Sequence, residues 1–197
     1  MNLTLATQLT ILRLCLVPVL AILVIYGQFG WALGVFLLAA VTDALDGLIA
    51  RLMKERTQLG TLLDPLADKL LVTTSLVVLS LPGPTLRIRI PAWLTILAIS
   101  RDVGILMSAL LIHLSVGRRV FRPTRWGKAT TAVQLSTILW VFWCNYRGAN
   151  GPLTEVLLVS MAALTVGSGL HYIYYVRQII GEEGSSSGVS PASDENK

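Results

Sequence analysis

Four aspartates, Asp43, Asp46, Asp64 and Asp68, stand within 26 residues of one another in stretches that are otherwise apolar. Carboxylates gathered this closely cannot all ionise unless a cation neutralises them. Hard divalent ions take oxygen ligands, and Mg²⁺ or Mn²⁺ suits a site that also handles phosphate. The spacing places these residues on two helix faces. Asp43, Asp46, Gly47 and Ala50 fall at i, i+3, i+4 and i+7, and Gly60, Asp64, Ala67 and Asp68 at i, i+4, i+7 and i+8. Each face sets acids beside glycine or alanine, where a bulky group can approach. Arg51 lies one turn beyond Gly47 and can clamp a phosphate. Two antiparallel helices joined by the short loop between them would turn these faces toward each other.

The elements that must hold such faces are apolar helices. The 197-residue chain is 54% hydrophobic and 14% charged, with a mean hydropathy of +0.69. A soluble domain carries about a quarter charged residues, so lipid is the expected solvent for much of the surface. Six apolar segments, 8–26, 31–52, 61–81, 91–114, 128–145 and 153–176, are each long enough to cross a bilayer as a helix. Their continuity argues against a β-barrel. The expected fold is all-α and integral to the membrane, with six transmembrane helices and the site at the cytoplasmic ends of helices 2 and 3. The first segment lacks a small-residue cleavage site and is read as a retained span. Residues 1–180 form the expected domain. Residues 181–197, polar and rich in serine and glycine, are expected to be a disordered tail.

Loop charge sets the expected orientation. Arg51, Lys54 and Arg56 lie in one loop, and Arg118, Arg119, Arg122, Arg125 and Lys128 in another. The opposite side holds Arg87, Arg89 and Arg147. Eight against three places both termini and both basic loops in the cytoplasm, or in the matrix of an organelle. The membrane is then a bacterial inner membrane or an organelle inner membrane. The net charge of +5 collects in these loops, which fits anionic lipid or phosphate and gives no support for nucleic acid. Cys15 and Cys144 lie in apolar runs without metal-ligand spacing and read as buried small hydrophobes. Trp140 and Trp143 read as interface anchors or core, and His113 and His171 as structural.

The run Asp43-x2-Asp46-Gly47-x2-Ala50-Arg51-x8-Gly60-x3-Asp64-x3-Asp68 resembles the signature of the CDP-alcohol phosphotransferase family, with all eight elements matched. Thr10, Arg13 and Pro18 are also similar to the family's usual first span. The resemblance implies transfer of a substituted phosphate from a CDP-linked donor, here CDP-diacylglycerol, to an alcohol with release of CMP. It implies that the four aspartates hold one or two ions, with Asp68 also the general base on the acceptor hydroxyl. Gly47, Ala50 and Gly60 would leave room for the cytidine, and Arg51 would contact phosphate. A homodimer is expected from the family.

Two branches resemble the chain most: eukaryotic-type cardiolipin synthases, which accept phosphatidylglycerol, and phosphatidylglycerophosphate synthases, which accept glycerol 3-phosphate. The second branch usually carries an arginine eight residues after Arg101 and a Gly-Lys-x-Lys-Thr run. Here those positions hold Ala109 and, after Gly127 and Lys128, Thr130. A dianionic phosphomonoester calls for more cationic donors than a monoanionic phosphodiester, so phosphatidylglycerol is the favoured acceptor. Arg101, Arg118 and Lys128 are the candidate acceptor contacts. The arginines of the second basic loop could supply cations by another route, or simply meet anionic lipid. Four charged residues stay open. Arg13 snorkels to the interface or contacts phosphate. Lys69 is an ion-pair partner or a substrate ligand. Arg101 and Asp102 pair with each other or with a neighbouring helix. A cation transporter is the rival class, but the acids cluster at one end, no inverted repeat is visible, and Arg51 would repel a cation.

Overall fold

A computed structural model describes the backbone of residues 5–53, 58–83, 86–116, 125–149 and 151–186. It describes the side chains of residues 8–43, 67, 69–83, 86–107, 127–149 and 151–172. Among these residues the fold is all-helical. The six helices are α1 (Leu5–Ile25), α2 (Phe29–Met53), α3 (Gln58–Ser80), α4 (Ala92–Val116), α5 (Arg125–Arg147) and α6 (Leu153–Ser186).

Helix ends follow the punctuation of the sequence. Gly27 adopts φ 74°, its amide donates to the Val24 carbonyl (3.0 Å), and the Gln28 amide donates to the Leu23 carbonyl (2.8 Å). This paired arrangement ends α1 on a left-handed residue that only glycine adopts at low cost. Gly148 (φ 65°) ends α5 in the same way, with the Ala149 amide donating to the Cys144 carbonyl. The connection from α3 to α4 is tied down by one buried side chain. Asn145 Oδ1 accepts from the Arg87 and Ile88 amides, and its Nδ2 donates to the carbonyls of Ile88 and Val141.

Helix α1 packs on both α2 and α3, α2 packs on α5, and α5 packs on α6. Helix α4 contacts α6 and α3. Phe36 on α2 and Phe142 on α5 are fully buried against each other, ring centroids 5.7 Å apart. The expected face-to-face contact of α2 on α3 involves Asp46, Gly47, Ala50, Gly60, Asp64 and Asp68, whose side chains lie outside the described residues. Among the described residues, both helices lean on α1.

The outer surface is apolar. Ile25, Trp31, Ile96, Leu106, Val159 and Leu170 are each more than three-fifths exposed. A protein in water seldom presents so much contiguous apolar surface. Two windows are long and apolar enough to cross a membrane, Gln8–Ile25 (mean hydropathy 2.4) and Leu153–Tyr172 (1.7). Phe29–Asp43 and Lys69–Ser80 are shorter apolar helical windows among the described residues. Where six spans were expected, two thus meet the test among the described residues. Cys15 corrects its expected burial: it sits on the exposed face of α1, while Cys144 is buried. Helix α6 runs on to Ser186, into the segment expected as a tail from 181. Residues 187–197 lie outside the described residues.

Candidate active site

The site begins on α1. Thr10, Arg13, Leu20 and Val24 are all buried and share one face of that helix. Arg13 is 1% exposed, and its Nη1 lies 2.7 Å from Asp43 Oδ1 on α2. Asp43 itself stays 43% exposed. One turn of α1 thus delivers a buried guanidinium to the first of the four aspartates. Snorkelling, one of the two readings open for Arg13, does not describe this position. The residue is held inside because its charge meets a carboxylate on the neighbouring helix.

The other signature residues lie on the same two helices. Asp46, Gly47, Ala50 and Arg51 are in the C-terminal half of α2, and Gly60, Asp64 and Asp68 in the N-terminal half of α3. Their side chains fall outside the described residues. At ~1.5 Å per residue, Asp43 and Asp68 stand roughly 15 Å in from the helix ends that face the connecting loop. Asp46 and Asp64 stand closer to those ends. Ala67, expected on the face shared by Asp64 and Asp68, is fully buried, as is Ser75 two turns on. Among the described residues no group of three or more His, Cys, Asp or Glu side chains is close enough to hold a metal.

A second set of charges lies at the depth of Asp68. Lys69 Nζ is 2.6 Å from Asp102 Oδ2, and Arg101 Nη1 is 2.7 Å from Asp102 Oδ1. Arg101 Nε also donates to Ser168 Oγ on α6 (3.0 Å), with the flank of its side chain against Gly169. Arg101 and Asp102 are nearly buried, whereas Lys69 is half exposed. Arg101 and Asp102 pair both with each other and with neighbouring helices. Lys69 is an ion-pair partner. Helices α3 and α4 run in opposite directions, and Lys69 and Arg101 converge on Asp102 near the middle of both.

The two other candidate acceptor contacts divide. Lys128 is exposed in the first turn of α5. Arg118 lies outside the described residues. Thr130, where a second lysine would stand in the Gly-Lys-x-Lys pattern, is buried, and its hydroxyl donates to the Leu164 carbonyl on α6 (3.3 Å). Trp140 Nε1 donates to Thr154 Oγ1 (3.1 Å), so this tryptophan joins α5 to α6, while Trp143 is exposed.

Residues 3–167 match the CDP-alcohol phosphatidyltransferase family, and the chain belongs to that family. It is a transferase of phospholipid biosynthesis. Its relatives include a "Probable phosphatidylglycerophosphate synthase" of Mycobacterium tuberculosis, 36% identical over 190 residues, covering 90% of this chain and 83% of the relative. The cardiolipin synthase (CMP-forming) of Homo sapiens is 36% identical over 198 residues, covering 90% of this chain and 63% of the human protein. A CDP-diacylglycerol–glycerol-3-phosphate 3-phosphatidyltransferase of Sodalis glossinidius is 34% identical over 183 residues, covering 90% and 97%. The relatives thus agree on the reaction class and differ in the acceptor.

Proposed function

We propose that the protein spans the membrane with all six helices and transfers the phosphatidyl group of CDP-diacylglycerol to phosphatidylglycerol, forming cardiolipin and CMP. The observation that carries the choice of acceptor is the charge balance around Asp102. Two cations, Lys69 and Arg101, share one carboxylate, which leaves a single net positive charge. Thr130 adds none, since its hydroxyl is spent on α6. One net charge suits a monoanionic phosphodiester better than a dianionic phosphomonoester. Glycerol 3-phosphate is the second reading, favoured by the names of the Mycobacterium tuberculosis and Sodalis glossinidius relatives.

The donor set fits a hard divalent ion. Asp43 offers carboxylate oxygen at a partly exposed position, and Arg13, bonded at Oδ1, fixes its orientation. Asp43, Asp46, Asp64 and Asp68 are the residues that would hold Mg²⁺ or Mn²⁺. A bound ion would offset diphosphate charge as CMP departs. Asp68 takes the proton of the acceptor hydroxyl as the oxygen attacks phosphorus. Arg51 holds phosphate, while Gly47, Ala50 and Gly60 leave space for the cytidine. Lys69 and Arg101 meet the acceptor's phosphate with the single net charge that Asp102 leaves them. Both termini lie on the cytoplasmic or matrix side, and the working unit is a homodimer.

The test is CMP release from CDP-diacylglycerol by the purified protein, with each acceptor supplied singly. Chelation abolishes release, and added Mg²⁺ or Mn²⁺ restores it. Asp68→Asn lowers release by at least ~10²-fold while CDP-diacylglycerol still binds. No CMP release with either acceptor and either metal sinks the reading.

A further inference from the structure

The end of the molecule opposite the aspartates carries a built surface of its own. A groove of about 540 Å³ runs between α2, α5 and α6, lined by Leu33, Leu37, Leu139, Trp140, Trp143 and Leu157. Its lining is almost wholly apolar. Leu33 and Leu37 also line a second hollow of about 600 Å³, which reaches Gln28, Asn145 and Tyr146. The two hollows therefore adjoin along α2, the first apolar and the second reaching polar groups. Gly34 borders the second hollow, and a methyl group built there meets nothing within 4 Å, so there is open space beside it.

Charge and aromatic residues at the mouth define the occupant. The Arg147 guanidinium lies 5.8 Å from the centroid of the Trp143 ring, which itself borders the groove. Trp143 and Tyr146 lie side by side with centroids 6.2 Å apart. Arg87 donates to the Gly148 carbonyl beside Arg147, and its amide is held by Asn145. Among the described residues no carboxylate pairs with Arg87 or Arg147. Exposed Tyr26, Trp31 and Trp93 lie at the same end, the side-chain types that settle at a membrane–water interface. A cation at the interface, beside an apolar groove running into the bilayer, matches an anionic phospholipid.

We propose that the α2–α5–α6 groove is a binding site for an anionic phospholipid in the leaflet opposite the aspartates, with an acyl chain along Leu33, Leu37 and Leu157 and the phosphate at Arg147. The site rests on the membrane-spanning reading and not on the transfer reaction. Its phosphate, at Arg147 in the last turn of α5, lies at the end of the helices opposite Asp43, so this lipid is not the one that reacts.

Trp31, Trp140 and Trp143, three of five tryptophans, border the two hollows and report on them. The protein is reconstituted in phosphatidylcholine nanodiscs containing a minor fraction of brominated phosphatidylglycerol or brominated phosphatidylcholine, and tryptophan quenching is compared. The expected result is a preference for phosphatidylglycerol of about fivefold, the scale of one juxtamembrane arginine. Arg147→Gln removes the preference, and Gly34→Phe, which fills the second hollow, removes the quenching it produces. Asp68→Asn leaves both intact. Equal quenching by the two lipids overturns the proposal. So does a preference that survives Arg147→Gln and Gly34→Phe but disappears in Asp68→Asn, which would place the lipid at the aspartate end. Conversion of a dimer to a monomer by Gly34→Phe, with no lipid preference in the unaltered protein, would make the groove a subunit interface and overturn it as well. CMP release measured on the same samples reads the transfer reaction separately.

Discussion

Arg13 on α1 and Asp43 on α2 form an ion pair of 2.7 Å in which the arginine is buried and the aspartate is not. The asymmetry matters. A buried guanidinium has no water to fall back on, so it holds the carboxylate in one orientation. The exposed side of Asp43 remains able to meet a ligand. The first helix therefore acts on the signature from outside it.

Arg13 is a positioning residue, and its removal should be felt in metal use. Arg13→Gln is expected to lower CMP release by about 10–100-fold, the usual scale for partners that orient a metal ligand. The metal concentration for half-maximal rate should rise with it, and Arg13→Lys should recover part of both. A variant that loses thermal stability but keeps its metal dependence would show that the pair only holds α1 to α2.

Asp102 should govern acceptor choice through charge. It neutralises one of the two cations beside it. Asp102→Asn leaves Lys69 and Arg101 with two net charges, which should raise the rate with glycerol 3-phosphate relative to phosphatidylglycerol. The ratio of the two products, measured at equal acceptor concentration, checks this. An unchanged or lowered ratio contradicts the assignment of this cluster to the acceptor.

Asn145 should matter to stability and not to chemistry. Its side chain meets four backbone groups and fixes the α3–α4 connection far from the aspartates. Asn145→Ala strands buried amides and carbonyls, each costing roughly 1–3 kcal/mol. The melting temperature in detergent should fall clearly, with the metal requirement of the surviving activity unchanged. A melting curve that matches the unaltered protein would show that the connection holds without the clamp.

The helices were legible because apolar runs and glycine punctuation are local signals. Gly27 and Gly148 end α1 and α5 through left-handed turns that a neighbouring side chain cannot replace. The family was legible because eight residues in fixed register are specific. Arg13 was harder, since an arginine inside an apolar run has several outcomes and sequence spacing does not say which helix lies opposite. Its burial could have been suspected from Thr10, Leu20 and Val24, which share its face. Lys69 and Asp102 are 33 residues apart, and only the antiparallel course of α3 and α4 brings them together. The packing of α1 on both α2 and α3 was not legible, because the length of a loop says nothing about a third helix. The length of α6 was underestimated because glutamates and glycines read as a tail, yet no proline interrupts the helix before Ser186.

The most direct test supplies purified protein with CDP-diacylglycerol, Mg²⁺ and equal amounts of phosphatidylglycerol and glycerol 3-phosphate, and identifies the lipid products by mass. Cardiolipin as the main product, formed in step with CMP, is the predicted result. Phosphatidylglycerophosphate as the main product would contradict the assignment of phosphatidylglycerol as acceptor.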